Sequence, residues 1–261
     1  MAPSGKRDGA GGGGAGSSTT TSTARPDQYD VLYNAAVQSF VRRDHVKTQA
    51  TLSKLLDLTQ KLPKDPAPWY DLSSTTSSTA GGADYGGLTA SEWVIKTLKL
   101  AISANASMYS DPPKNFAQMP HLLPPAPPTA MLQHIQAVCV KTYGAALLPP
   151  QLVSTFLLAA LKLRPAEPAL AFAHQLAEEW LTALPDAFIL AIASENRGPN
   201  RKRVEVAREG YLKVVELFVG EVLGREGEWE MARGLLEGEM VMGSKKKEVS
   251  VFFVRQFRAL R

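Results

Sequence analysis

The sequence predicts an all-α fold, a right-handed stack of antiparallel helical hairpins, and three observations carry that prediction. Val204, Ala207, Tyr211, Val214, Val215, Phe218 and Val222 recur at three- and four-residue steps. That spacing gathers them on one helical face and leaves Arg208, Lys213 and Glu221 for water. Nowhere do apolar residues alternate over a long span between turn signals, so no strand is predicted. Short glycine-bearing breaks separate the last apolar runs, and helices joined so closely must fold back on one another, since none buries its stripe alone.

Residues 1–25 hold Gly, Ser, Thr and Ala with almost no large apolar side chain, a composition that cannot repay its ordering entropy and predicts a disordered tail. Its Gly-Gly-Gly-Gly-Ala-Gly run follows no strand and opens no helix, so it is low complexity rather than a dinucleotide fingerprint. A single helical domain is expected over 26–261. Asp27 is placed to cap a first helix with Val31, Leu32, Ala35, Ala36 and Phe40 inward. Asp44 starts a second with Val46, Ala50, Leu52, Leu55, Leu56 and Leu62, and the short turn between them makes a helical hairpin. The alanine-and-aromatic first helix and leucine-rich second resemble a tetratricopeptide hairpin, so the expected stack is a TPR-like α-solenoid.

Two flexible insertions are expected, at about 63–89 and 112–128, from their Pro, Ser, Thr and Gly content. Between them Ser91 is placed to cap a helix carrying Trp93, Val94, Leu98, Ala101 and Ile102. Thr129 opens the next, with Met131, Leu132, Ile135, Val138 and Cys139 inward. Pro149-Pro150 suits a helix start, because proline at the first position gives up only an N–H with no helical partner. That helix carries Leu152, Val153, Phe156, Leu157, Ala160 and Leu161. Pro165 and Pro168 begin another with Leu170, Ala173, Leu176, Ala177, Trp180 and Leu181, and Pro185 restarts a short one over 187–193. After a basic loop at 196–203 comes the closing stack. Its first helix breaks at Gly224 and Gly227, where left-handed dihedrals carry no Cβ penalty. A second has Trp229, Ala232, Leu235 and Leu236 inward, and a third, capped by Ser244, has Val249, Phe252, Phe253 and Phe257.

With 261 residues and a 44% hydrophobic share the chain can bury a sizeable core, and a net charge of +4 is too mild and too dispersed for a dedicated nucleic-acid binder. A single cysteine allows no intrachain disulfide and fits a reducing compartment. No secretory signal core is visible, and the longest apolar runs, 152–163 and 187–193, fall short of the roughly 20 residues that cross a bilayer.

The motifs of chemistry are absent: no P-loop, nucleophile elbow or metalloprotease helix. His45, His121, His134 and His174 are scattered over different segments. His174 and Glu178 sit one turn apart, yet no further ligand is apparent in sequence, which favours a solvent-side pair over a metal site. Cys139 lies on an apolar face and predicts a buried structural thiol. Arg197 with Arg201 to Arg203, and Lys245 to Lys247, are basic clusters without interleaved aromatics, which predicts solvated loops. Trp93, Trp180 and Trp229 are core positions by spacing. No catalytic, cofactor or metal residue is predicted.

Laid end to end, the helices resemble the cytosolic domain of the peroxisomal membrane-anchor peroxins, the peroxin-26 and yeast peroxin-15 family. Three blocks carry the similarity. They are the hairpin from Tyr29-Asp-Val-Leu-Tyr-Asn-Ala-Ala through Phe40, Arg42 and Asp44 to Leu52-Ser-Lys-Leu-Leu56, then Met131 through Tyr143 to Leu148-Pro-Pro-Gln-Leu-Val153, and finally Tyr211 to Leu223 with Glu228 to Leu236 and on to Arg255. The resemblance implies a non-enzymatic adaptor at the cytosolic face of the peroxisomal membrane. It would recruit the peroxin-1/peroxin-6 AAA ATPase, which recycles the matrix-protein import receptor. It also implies that the opening hairpin meets the peroxin-6 subunit, with Arg42, Arg43, Lys47 and Lys54 as polar contacts. The family carries a C-terminal hydrophobic anchor, and the residues up to Arg261 contain none. A TPR-like scaffold for another complex, in co-chaperone work or tail-anchored-protein targeting, is the alternative.

Overall fold

Apolar periodicity resolves into helices throughout the computed structural model, which describes residues 26–64, 67–73, 88–113, 122–194 and 200–242. In chain order these are α1 (Pro26–Val41), α2 (His45–Thr59), α3 (Ala90–Ser110), α4 (Pro128–Tyr143), α5 (Pro150–Ala160), α6 (Ala166–Ala183), α7 (Asp186–Ala193) and α8 (Arg201–Leu217). α8 runs on as a π-helical segment (Phe218–Leu223) and one α turn, α9 (Gly224–Glu226), before α10 (Trp229–Gly238). Among the described residues there is no strand. The tail 1–25, the helix expected after Gly243, Arg197, Lys245 to Lys247 and His121 lie outside them, as do most of the first insertion and residues 114–121 of the second.

Starts and stops follow local chemistry. Asp44 caps α2 by accepting from the Lys47 amide at 3.1 Å. α3 is opened by Thr89, not Ser91, in a reciprocal capping box with Glu92, whose carboxylate accepts from the Thr89 amide at 2.7 Å. Four helices, α4 to α7, have proline at the cap with extended dihedrals and no side-chain cap bond, and α4 begins one residue ahead of Thr129, at Pro128. α1 likewise begins at Pro26, ahead of Asp27. Gly144 ends α4 at φ 86°, and Gly227 ends α9 at φ 85°. Gly224, expected as a break, stays helical and lets Trp229 approach: a Cβ there would stand 3.5 Å from the indole.

The helices pack in pairs around two central members. α3 touches α1, α2, α4 and α5, whereas α5 touches α3, α4, α6 and α8. α6 also meets α4 and the π-helical segment, and α7 lies on α8. One contiguous core of buried residues extends from Tyr29 to Met242. The π-helical segment widens the turn so that Phe218, Val219, Val222 and Leu223 are all buried.

Several expected orientations are corrected. Val31, Val46 and Ala50 face solvent; α1 and α2 instead turn Tyr29, Ala36 and Ser39, and His45, Thr48, Leu52 and Leu55, inward. Leu235 lies mostly outside the core, while Val138, Leu161 and Trp229 are half-buried at its edge. Arg208 is not left to water: its guanidinium donates to the carbonyls of Ile192 at 2.5 Å and Ser194 at 2.7 Å, closing the C-terminal end of α7. Part of the first insertion is packed. Trp69 stacks parallel to Trp180 at 6.1 Å, meets Phe188 edge-on at 5.2 Å and donates to the Leu147 carbonyl at 2.8 Å. Asn200 holds the Leu72 carbonyl at 3.1 Å, so residues 67–73 are clasped between α6, α7 and the start of α8.

Candidate partner-docking surface

The four cations singled out from the sequence lie on the opening hairpin, and its turn sets their positions. At the end of α1 the Asp44 amide donates to Ser39 O at 2.9 Å and the Arg43 amide to Phe40 O at 3.0 Å. This six-to-one and five-to-two pair is a Schellman closure, whose left-handed residue is usually glycine. Here it is Arg43, at φ 58°, the only positive-φ residue other than glycine among the described residues. An L-residue in that conformation costs about 1–2 kcal/mol. Asp44 completes the closure and then caps α2, so the two helices are joined without slack.

The turn holds its cations out into solvent. Arg42, Arg43, Lys47 and Lys54 are all exposed. Lys47 and Lys54 are seven residues apart and share the outer face of α2, about 10 Å apart along the axis. Val41 and Val46, 73% and 52% exposed, lie among them, so the corner is a basic surface with apolar patches. Arg43 Nη1 reaches Asp111 Oδ2 at 3.4 Å, but both side chains are largely exposed, and such pairs contribute between nothing and about 1 kcal/mol. The structure brings Arg42, Arg43 and Lys47 to one end of the hairpin and leaves Lys54 two turns away.

What anchors this corner is the inner side of the hairpin. Trp93 of α3 is fully buried against Tyr29 at 5.7 Å and Tyr33 at 5.9 Å. The Lys96 ammonium lies 4.3 Å from the Tyr33 ring centre and 4.4 Å from that of Trp93, a cation–π bracket across α1 and α3. Burial raises the Tyr33 phenol above its ordinary range. Gln49 Nε2 reaches Asn105 Oδ1 at 3.3 Å and links α2 to α3. Val46 is expected inward from the sequence because a β-branched residue beside a helix end reads as core, and Val41, given neither face, is exposed as well. The position of His45 gives the correct phase: it is buried at the start of α2, which turns Val46 outward.

His174 Nδ1 meets Glu226 Oε2 at 2.6 Å and joins α6 to α9, with Glu178 farther off at 3.9 Å. Among the described residues no group of three or more His, Cys, Asp or Glu is placed to hold a metal ion. Cys139 is fully buried, and burial pushes its thiol up to about 12. A small cleft of about 100 Å³ between α2, α3 and α4 is lined by Lys64, Trp69, Thr142 and Gly144, with the Lys64 chain lying across the glycine. Among the described residues no helix is long and apolar enough to cross a membrane. No protein-family model, no curated protein and no solved structure matches this chain.

Proposed function

We propose that this chain is a helical adaptor whose α1–α2 corner docks a partner protein, the peroxin-6 subunit of the peroxin-1/peroxin-6 AAA ATPase, at the cytosolic face of the peroxisomal membrane. In that role it serves recycling of the matrix-protein import receptor and contributes a binding surface rather than a reaction. The colinear resemblance of the helices to the membrane-anchor peroxins supports the partner. The finer architecture, a TPR-like stack, is supported by packing of every other helix, α1 on α3, α3 on α5 and α4 on α6.

The observation that carries the docking reading is Arg43. A left-handed position at a tight turn is filled at least cost by glycine, yet it holds an arginine whose side chain is 78% exposed and whose partner Asp111 is 63% exposed. Strain kept for an outward-pointing guanidinium, beside Arg42, Lys47 and two exposed valines, fits an acidic surface with apolar pockets. Replacing Arg42, Arg43, Lys47 and Lys54 together by glutamate should leave the helical circular dichroism unchanged and abolish co-purification with the purified ATPase. Binding that survives the reversal removes the assignment. Absence of ATPase binding by the native chain, together with charge-sensitive binding to a purified chaperone, would favour the co-chaperone scaffold instead.

A further inference from the structure

The stretch from Arg42 to Lys64 holds six cations, Arg42, Arg43, Lys47, Lys54, Lys61 and Lys64, against Asp44 and Asp57. That balance of +4 equals the formal net charge of the whole chain. All six are exposed, and among the described residues only Arg43 has an ion-pair partner, Asp111. Asp44 is engaged as the cap of α2. Lys47, Lys54 and Lys61 recur every seven residues, and Gln60 keeps helical dihedrals of φ −63° and ψ −24° that carry the phase on to Lys61. Seven residues fall about 20° short of two full turns, so the three stems share one column, about 21 Å long, on the outer face of α2.

The column leads from the Arg43 corner to the cleft between α2, α3 and α4. There the Lys64 ammonium lies across the carbonyl end of α4, so close that a Cβ on Gly144 would stand 2.5 Å from Nζ. Ser91, in the first turn of α3, lines the same cleft and brings to it a helix end that favours negative charge. Thr142 lines it as well, is 1% exposed, and its Oγ1 has no partner among the described residues. Thr48, Thr51 and Thr155 each donate to the carbonyl one turn back, and Thr142 does not. A buried hydroxyl left so is a cost that an acceptor entering the cleft would remove. The cleft's volume of about 100 Å³ is below the roughly 150 Å³ in which an engineered cavity admits benzene, so it suits one short side chain.

We propose that the outer face of α2 binds an acidic segment of a partner protein. One aspartate or glutamate side chain sits in the cleft between Lys64 and the Thr142 hydroxyl, and further carboxylates lie along Lys61, Lys54 and Lys47. This rests on the docking reading above and extends it from the corner to the far end of the hairpin. Nucleic acid fits less well, because α2 has no aromatic residue on which a base could stack. A lipid surface fits less well too: the exposed residues between the lysines, Ala50, Ser53, Asp57 and Gln60, offer no large apolar group to insert.

The probe is a fluorescein-labelled peptide of repeating Glu-Glu-Leu-Ala, read by anisotropy against the full chain at low salt. The native protein should bind it, and should not bind the same peptide with glutamine for glutamate. Lys61→Glu/Lys64→Glu, outside the four cations reversed above, should weaken binding at least about tenfold. Thr142→Val keeps the shape and should weaken it about threefold with the helical circular dichroism unchanged. Affinity equal to native in either variant overturns the proposal, as does tighter binding of oligodeoxythymidylate or of phosphatidylserine vesicles than of the peptide. If the double variant loses the peptide but the native chain never binds the ATPase, the acidic-segment site stands and the named partner falls. If the ATPase binds native and double-variant chains alike, the docking reading stands and this extension of it falls.

Discussion

The two halves of the molecule bury polar atoms in opposite ways. In α1 to α4 seven polar residues are buried, Ser39, His45, Thr48, Thr59, Thr97, Asn105 and Thr142. Most of those with a partner bond back to their own helix: Ser39 to Ala35 O, Thr48 to Asp44 O, Thr59 to Leu56 O and Asn105 to Ala101 O. Such bonds satisfy the atom without joining one helix to the next. His45 Nε2, Thr97 Oγ1 and Thr142 Oγ1 have no partner among the described residues. From α5 onward no Ser, Thr, Asn or His among the described residues is buried, and polar tips reach across instead. Trp180 donates to Leu148 O at 2.8 Å, Arg225 to Leu161 O at 3.1 Å and Tyr211 to Glu239. The first half is held mainly by area, with Gln49 to Asn105 and the Lys96 bracket as its links between helices and three unpaired atoms, whereas the second adds more cross-links to area and leaves Gln151 Oε1 unpaired. Stability should therefore be concentrated behind Pro149, which leaves the hairpin free to carry strain at its outer corner.

The largest expected effect tests the cross-linked half. Trp180→Ala removes the stack on Trp69 and the bond to Leu148, and should lower unfolding free energy by about 3–5 kcal/mol in a denaturant titration. Thr97→Val tests the other half with the opposite sign. Its hydroxyl is fully buried and unpaired, so the isosteric methyl should raise stability by about 1 kcal/mol. A loss would show that the hydroxyl is doing something in the core and would break the contrast. Arg43→Gly relieves the left-handed turn, and after the extra chain entropy of glycine the gain should be at most about 1 kcal/mol, accompanied by weaker partner binding. Stability gained with binding intact would turn the arginine into an accident of sequence.

The smallest effect is alkaline. The Cys139 thiol is raised by burial from 9.0 to about 12, so its neutral form is the folded one. Its contribution is fully present below pH 9 and is lost as pH rises from 9 towards 12, below about 1 kcal/mol at pH 9.5. Cys139→Ala should flatten that part of the pH profile, while the raised phenol of Tyr211, buried and bonded to Glu239, leaves a residual slope.

Much of this arrangement was legible in the residues. The faces of α3, α5 and α6 followed from leucine, alanine and tryptophan at helical steps, because both flanks of those helices are covered and any phase reads as inward. α1 and α2 are covered on one side only, so a phase error of one residue put Val31 and Val46 in the core. The clasp at 67–73 was hidden by composition: a lone Trp69-Tyr70 pair after three prolines gives no period to read, and its partners Leu147, Trp180 and Phe188 lie 78 residues or more away. The four cations of the corner were singled out through the resemblance, and the left-handed backbone of Arg43 leaves no mark in sequence, since glycine's usual place was taken by another residue.

The π-helical segment has a consequence for everything after it. Phe218 to Leu223 holds one more residue per turn than the α-helix around it, and exposed Gly220 lies at its middle. If the segment rewound as ordinary helix with all six residues kept, the downstream chain would rotate by about 100° about the α8 axis. Ala232, Leu236 and Met242 would swing off the core together. A single surplus residue thus acts as a phase setting, and the direction in which the rest of the polypeptide leaves the body is decided there.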